Sequence, residues 1–195
     1  MEVCLKQQVT ELLTFAVNIA KAMEFIESQQ FCHPFVSLKK VLITSQCGCK
    51  LYDIRPNDMA TTKVKGVLKK NNPPIAWMPP ETIFLCEYTP SCDVWSFSVL
   101  LWELFSLGEI PYVGKTNAEI ENIIREGKLL PRPTNCPGSA YDTMLLSWQK
   151  SVEKRPSFAV LYLKLGDILK ATQEADGSKE KIYFTLSPSE KGDYI

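Results

Sequence analysis

The hydrophobic pattern of this chain is organised around one stretch. From residue 92 to residue 105, ten of fourteen residues are apolar or aromatic, and they fall on every side of a helical wheel. A helix apolar all round is either a membrane span or the central post of a globular domain. Fourteen residues rise only about 21 Å, short of the roughly 20 residues a bilayer needs, and Asp93 and Glu103 interrupt the run. The pattern therefore predicts a buried helix in a globular domain. Ser91 is its candidate N-cap, with Asp93 in the first turn, and Gly108 and Pro111 mark its end.

A second long helix is predicted to open at Val9-Thr10-Glu11 with Thr10 as N-cap. Leu12, Leu13, Ala16, Ile19, Ala20, Met23 and Ile26 form one stripe, with Asn18, Lys21 and Glu24 opposite. Pro34 biases His33 away from helical angles. Residues 41–44 and 50–52 read as short strands of a hairpin joined by a turn at 45–48. Residues 54–74 lack sustained periodicity, carry five basic residues and close on Asn-Asn-Pro-Pro, which predicts a long surface loop. Residues 75–80 predict an ordered, buried irregular segment holding Trp77 and Met78. Helices are expected at 117–125, 140–148 and 157–170, the last with Ser157 as N-cap and Phe158, Leu161, Leu165 and Ile168 on one face. From residue 171 the chain turns polar and reads as a flexible tail.

Composition adds little beyond exclusions. At 195 residues, 45% hydrophobic and 23% charged, the chain matches one globular domain. Its 22 basic and 22 acidic residues leave no net field to attract nucleic acid or an anionic membrane. Seven scattered cysteines suit buried thiols in a reducing compartment better than a disulfide framework, and a single histidine argues against a metal site. Met1-Glu2 opens no signal peptide, no stretch is long enough to span a bilayer, and no repeat is visible.

The wording of these pieces, in their order, resembles the C-terminal lobe of a protein tyrosine kinase, most closely receptor kinases of the platelet-derived and vascular endothelial growth factor receptor class. LLTFAVNIAKAMEFIESQQFCH is similar to the helix leading into that family's catalytic loop, and IAWMPPE to its A-P-E segment. SCDVWSFSVLLWELFSLGEIPYVG resembles its central helix, and KRPSF with LGDIL its last helix. The resemblance covers about residues 8–171. It implies a mainly α fold with a small β-hairpin: a kinase-like C-terminal lobe at 1–171 around a buried central helix, the N-terminal lobe absent, and a tail at 172–195. That missing lobe would carry the glycine-rich loop, its lysine and its glutamate.

Against the family's pattern, the chemical positions are replaced. Where the resemblance expects H-R-D-L-A-A-R-N, this chain reads His33-Pro34-Phe35-Val36-Ser37-Leu38-Lys39-Lys40. Phe35 stands where the base aspartate is expected and Lys40 where the magnesium-binding asparagine is expected, while Lys39 keeps the arginine's charge without its fork. Losing a general base costs about 10²–10⁴ in rate. D-F-G becomes Asp53-Ile54-Arg55, in which Asp53 is either a remaining cation ligand or a turn residue at a strand end. His33 is either a packed histidine or a general base without a nucleophile. Residues 54–80 hold no tyrosine, so phospho-switching through them is not expected, although Thr61 and Thr62 carry hydroxyls. Arg55, Lys63, Lys65, Lys69 and Lys70 fit either an anionic partner or a solvated loop. Pro79 and Ala76 depart from the family and weaken the case for peptide docking.

The structural positions are kept. The resemblance implies a buried ion pair between Glu81 and Arg155, and a hydrogen bond from the catalytic-loop backbone to Asp93. Scaffold kept and chemistry replaced imply a catalytically dead or impaired receptor-kinase-like lobe, an interaction or regulatory module in phosphotyrosine signalling. The competing expectation is part of an ATP-dependent tyrosine kinase, the only reading that needs ATP and magnesium, with Asp53 as its metal ligand. Expected partners are proteins: another kinase polypeptide at an apolar upper face, or an SH2-type reader of phosphorylated Tyr183 or Tyr194. The chain as given reads as cytoplasmic, or as membrane-associated if it belongs to a longer single-pass receptor.

Overall fold

The computed structural model describes residues 2–44 and 48–175. Seven helices, α1 (Glu2–Ser28), α2 (Asn57–Leu68), α3 (Pro80–Leu85), α4 (Ser91–Phe105), α5 (Asn117–Arg125), α6 (Gly138–Ser147) and α7 (Phe158–Ala175), are found among them. They are accompanied by four short strands, β1 (Phe31–Cys32), β2 (Val41–Ile43), β3 (Cys49–Leu51) and β4 (Arg55–Pro56).

Helix α4 is the post that its all-round apolarity demands. Every residue from Cys92 to Phe105 is buried, and α1, α6 and the 3-10 turn at Ile75–Trp77 pack against it. Phe97 meets Phe158 of α7 edge-on at 5.5 Å, and Trp95 meets Trp148 at 6.5 Å. The helix does not start on a Ser91 cap. The Cys92 and Asp93 amides donate to the Thr89 and Pro90 carbonyls, and the Ser91 side chain caps nothing. The end is as expected: Leu107 and Gly108 turn left-handed at φ 60° and 90°, and the Gly108 amide closes on the Glu103 carbonyl.

Helix α1 lies along α7 and buries its predicted stripe, Leu12 to Ile26. It begins at Glu2 and not at Thr10, because residues 2–9 hold no glycine or proline to stop a helix. The larger correction is α2, which replaces most of the expected loop over 54–74. Ala60 and Val64 are fully buried four residues apart, with Val67 and Leu68 half-buried one turn on. That is a narrow helical stripe, and the lysines and threonines around it hid the period. At the other end, α7 runs five residues into the stretch expected to be tail, to Ala175, with Ser157 capping its first turn. Tyr183 and Tyr194 lie outside the described residues.

The expected hairpin is present. β2 and β3 pair antiparallel, with Val41 opposite Leu51 and Ile43 opposite Cys49. A second ladder, absent from the sequence reading, pairs Phe31 with Pro56 and Cys32 with Arg55. These two ladders bring residues 33–40 and 53–55 together.

Candidate functional site

Three elements converge here: the segment from His33 to the 3-10 turn Leu38–Lys40, the link from Asp53 to Arg55, and the inward edge of α2. Asp53 is the hub. Its Oδ2 lies 3.2 Å from Lys40 Nζ, and its Oδ1 takes Arg55 Nη2 at 2.8 Å and Lys63 Nζ at 2.5 Å. Its backbone is left-handed at φ 72°, the turn conformation that aspartate tolerates better than most residues. Partial burial pushes the Asp53 carboxyl up, but the Lys63 and Lys40 ammoniums outweigh it and hold the pKa at about 2. Lys40 also donates to the Pro34 carbonyl at 2.9 Å, which fixes its ammonium over the carboxylate.

Phe35 lies in the hydrophobic core, 6% exposed, with φ at +60°. His33 is fully buried, and its ring faces the backbone of its own residue and of Tyr52. Burial, and then the Lys40 charge, push its pKa down to about 4, so the ring is neutral at pH 7. Lys39 points to solvent, and its carbonyl accepts the Tyr52 hydroxyl at 2.8 Å. Of the candidate site residues, the structure brings Lys40, Asp53 and His33 together. It adds Lys63, which sequence reasoning had assigned to a surface loop.

The floor of the site hangs from α4 by two buried carboxylates. Asp93 accepts the His33 amide at 2.6 Å and the Tyr88 hydroxyl at 2.7 Å. Glu103 accepts the Leu38 amide at 3.1 Å and Trp77 Nε1 at 3.0 Å. The sequence flagged Glu103 only as an interruption. An acid deep in a largely apolar helix was the signal that it holds something.

Burial pushes the Asp93 carboxyl up to about 7, against the hydrogen bonds from His33 and Tyr88 and the charge of Lys40. Glu27 and Cys32 are its other titratable neighbours. The folded pKa stands above the unfolded value near 3.9, so the fold holds the extra proton between them. Stability from this group is fully present below about pH 4 and falls as pH rises towards 7. Urea titrations of Asp93→Asn are expected to show a flatter pH dependence over that window than the native chain. An equal slope in both would reject the assignment.

Farther out, Arg155 clamps α3 to the start of α4. Its guanidinium meets Glu81 at 2.6 and 2.8 Å, donates to the carbonyls of Gln149 and Ser91, and lies 5.3 Å over the Trp95 ring. The implied pairing of Glu81 with Arg155 and the implied support by Asp93 are both present.

The model of the family described as protein tyrosine and serine/threonine kinase matches residues 4–165. The chain belongs to that family. As a kinase-family chain, it is 35% identical over 179 residues to the mast/stem cell growth factor receptor kita of Danio rerio, a match covering 91% of this chain and 18% of the receptor. It is 37% identical over 154 residues to the tyrosine-protein kinase Srms of Homo sapiens, covering 79% of this chain and 32% of that kinase. The chain therefore spans less than a third of the length of either relative. Among the described residues of this kinase-family lobe, no helix is long and apolar enough to cross a membrane.

Proposed function

We propose that this kinase-family lobe does not transfer phosphate and serves as an interaction or regulatory module in phosphotyrosine signalling. The observation that carries the reading is the Lys40 ammonium over Asp53. Phosphoryl transfer needs a carboxylate beside the substrate hydroxyl and oxygen ligands for magnesium. Here both oxygens of Asp53 are engaged by cations, with an ammonium at the position where the resemblance implies an asparagine. Among the described residues no three His, Cys, Asp or Glu side chains gather as a metal site. The donor set does not fit a divalent cation. Phe35 offers no proton acceptor, and neutral His33 is sealed from solvent. Retained Asp53 is the feature in favour of an active tyrosine kinase, and its three cations speak against that use.

A growth factor receptor among the relatives supports placing the chain with receptor kinases of the platelet-derived and vascular endothelial class, at a membrane through other parts of such a protein. The hairpin presents Leu42, Ile43 and Tyr52 to solvent, which supports a protein partner at that face, another kinase polypeptide fitting best. The test is incorporation of labelled phosphate into a tyrosine peptide by the chain within its complete polypeptide. Incorporation no greater than that of the Asp53→Asn variant is expected. Turnover at about 1–100 per second, the ordinary kinase range, and lost in that variant, would defeat the proposal.

A further inference from the structure

We propose that the cluster around Asp53 is an anion site, in which Lys40, Lys63 and Arg55 take a phosphate group directly with no divalent cation between. It rests on the preceding reading only in leaving the Asp53 carboxylate without a metal.

Three cationic side chains reach one carboxylate within 3.2 Å, two positive charges more than that carboxylate balances, and the buried Asp93 offsets the excess only in part and through Lys40 alone. Lys40 and Lys63 are only 20% and 23% exposed, so water screens this excess less than it would at an open surface. Sheltered charge of one sign is costly unless a counter-charge meets it. A phosphate dianion matches the excess.

Donor supply gives the same answer. A carboxylate offers roughly four acceptor sites, whereas two ammoniums and a guanidinium carry roughly eleven N–H donors. Pro34 takes one of these donors. Arg55, 47% exposed, supplies the planar fork that suits phosphate oxygens and leaves the mouth open to solvent. The cations come from three separate segments: the 3-10 turn, β4 and α2.

The carboxylate is what separates this site from a metal-mediated one. If a metal bridged to phosphate, removing Asp53 would abolish binding. If the cations bind directly, Asp53 competes with the ligand, and its removal strengthens binding. The experiment is thermal unfolding of the full chain in EDTA and low salt, titrated with pyrophosphate or with O-phosphotyrosine. These two probes separate a free polyphosphate from a phosphorylated side chain. A saturable rise in Tm without magnesium is expected for at least one probe. Lys63→Gln and Arg55→Gln should each weaken binding roughly tenfold, as expected on losing one charge-assisted hydrogen bond, and Asp53→Asn should bind at least as tightly as the native chain. Arg55 is the most exposed of the three, so its variant carries the test if Lys63→Gln does not fold. No rise in EDTA, a rise untouched by both glutamine variants, or one lost in Asp53→Asn would each overturn the proposal. None of these outcomes bears on phosphate transfer, which the labelling assay decides separately.

Discussion

Arg155→Met is expected to lower the unfolding free energy by about 3–5 kcal/mol, read from urea titration at neutral pH. The guanidinium side chain is wholly inaccessible and its partner Glu81 is 10% exposed, so neither charge is solvated in the fold. Removing the arginine leaves a carboxylate that, among the described residues, keeps the Cys92 thiol at 3.3 Å. It also strips donors from the Gln149 and Ser91 carbonyls and the cation from the Trp95 face. A surface ion pair would cost only about 0–1 kcal/mol, so the size of the effect tests the burial itself. Adding Glu81→Met to Arg155→Met should recover a substantial part of the loss, because an apolar pair has no charge to desolvate. Recovery should stay incomplete, since the two carbonyls remain without their donor. A single-variant loss under about 1 kcal/mol would mean that water reaches the pair, and the clamp between α3 and α4 would have to be rejected.

What could be read from the chain follows from how each feature is encoded. Helix α4 is all apolar and so could sit only at the centre. Helix α5 lies where it was expected, at Asn117–Arg125, and the structure adds the capping box of Thr116 and Glu119 that starts it. Helix α2 could not be read the same way. Its buried stripe is two fully buried residues and two half-buried ones, and the surrounding lysines made residues 54–74 look solvated throughout. Without α2, Lys63 stood as one of five basic residues fitting an anionic partner or a solvated loop, and its place beside Lys40 and Arg55 on Asp53 was hidden. The clamp of Glu81 and Arg155 and the support from Asp93 came through resemblance. No periodicity marks two residues 74 positions apart as partners. The positive φ of Phe35 was equally hidden, because left-handed backbone is signalled by glycine or asparagine and not by a bulky aromatic.

Phe35→Asp, the substitution that would put back the carboxylate implied by the family, is expected to destabilise the lobe by at least about 3–5 kcal/mol and to restore no phosphate transfer. Phe35 is 6% exposed within the central core cluster, so deleting its ring alone costs that much as lost burial plus cavity. A carboxylate in the same place adds its own desolvation, which raises its pKa. The loss should therefore shrink as pH falls through the carboxylate range and the group takes up a proton. Backbone geometry supplies an independent check. At φ +60° a side chain carries a strain of roughly 1–2 kcal/mol that glycine does not. Phe35→Gly should then be more stable than Phe35→Ala by about 1 kcal/mol, the reverse of the order in a helix or strand. Adding Lys40→Asn to Phe35→Asp removes one cation from Asp53 but leaves Lys63 and Arg55 on it, so the carboxylate still faces two positive charges. Labelled phosphate reaching a tyrosine peptide in that double variant would show that these two side chains yield to a metal. A Phe35→Asp chain as stable as the native one would show that the ring is no part of the core. The replacement of chemistry by packing at this position would then be wrong.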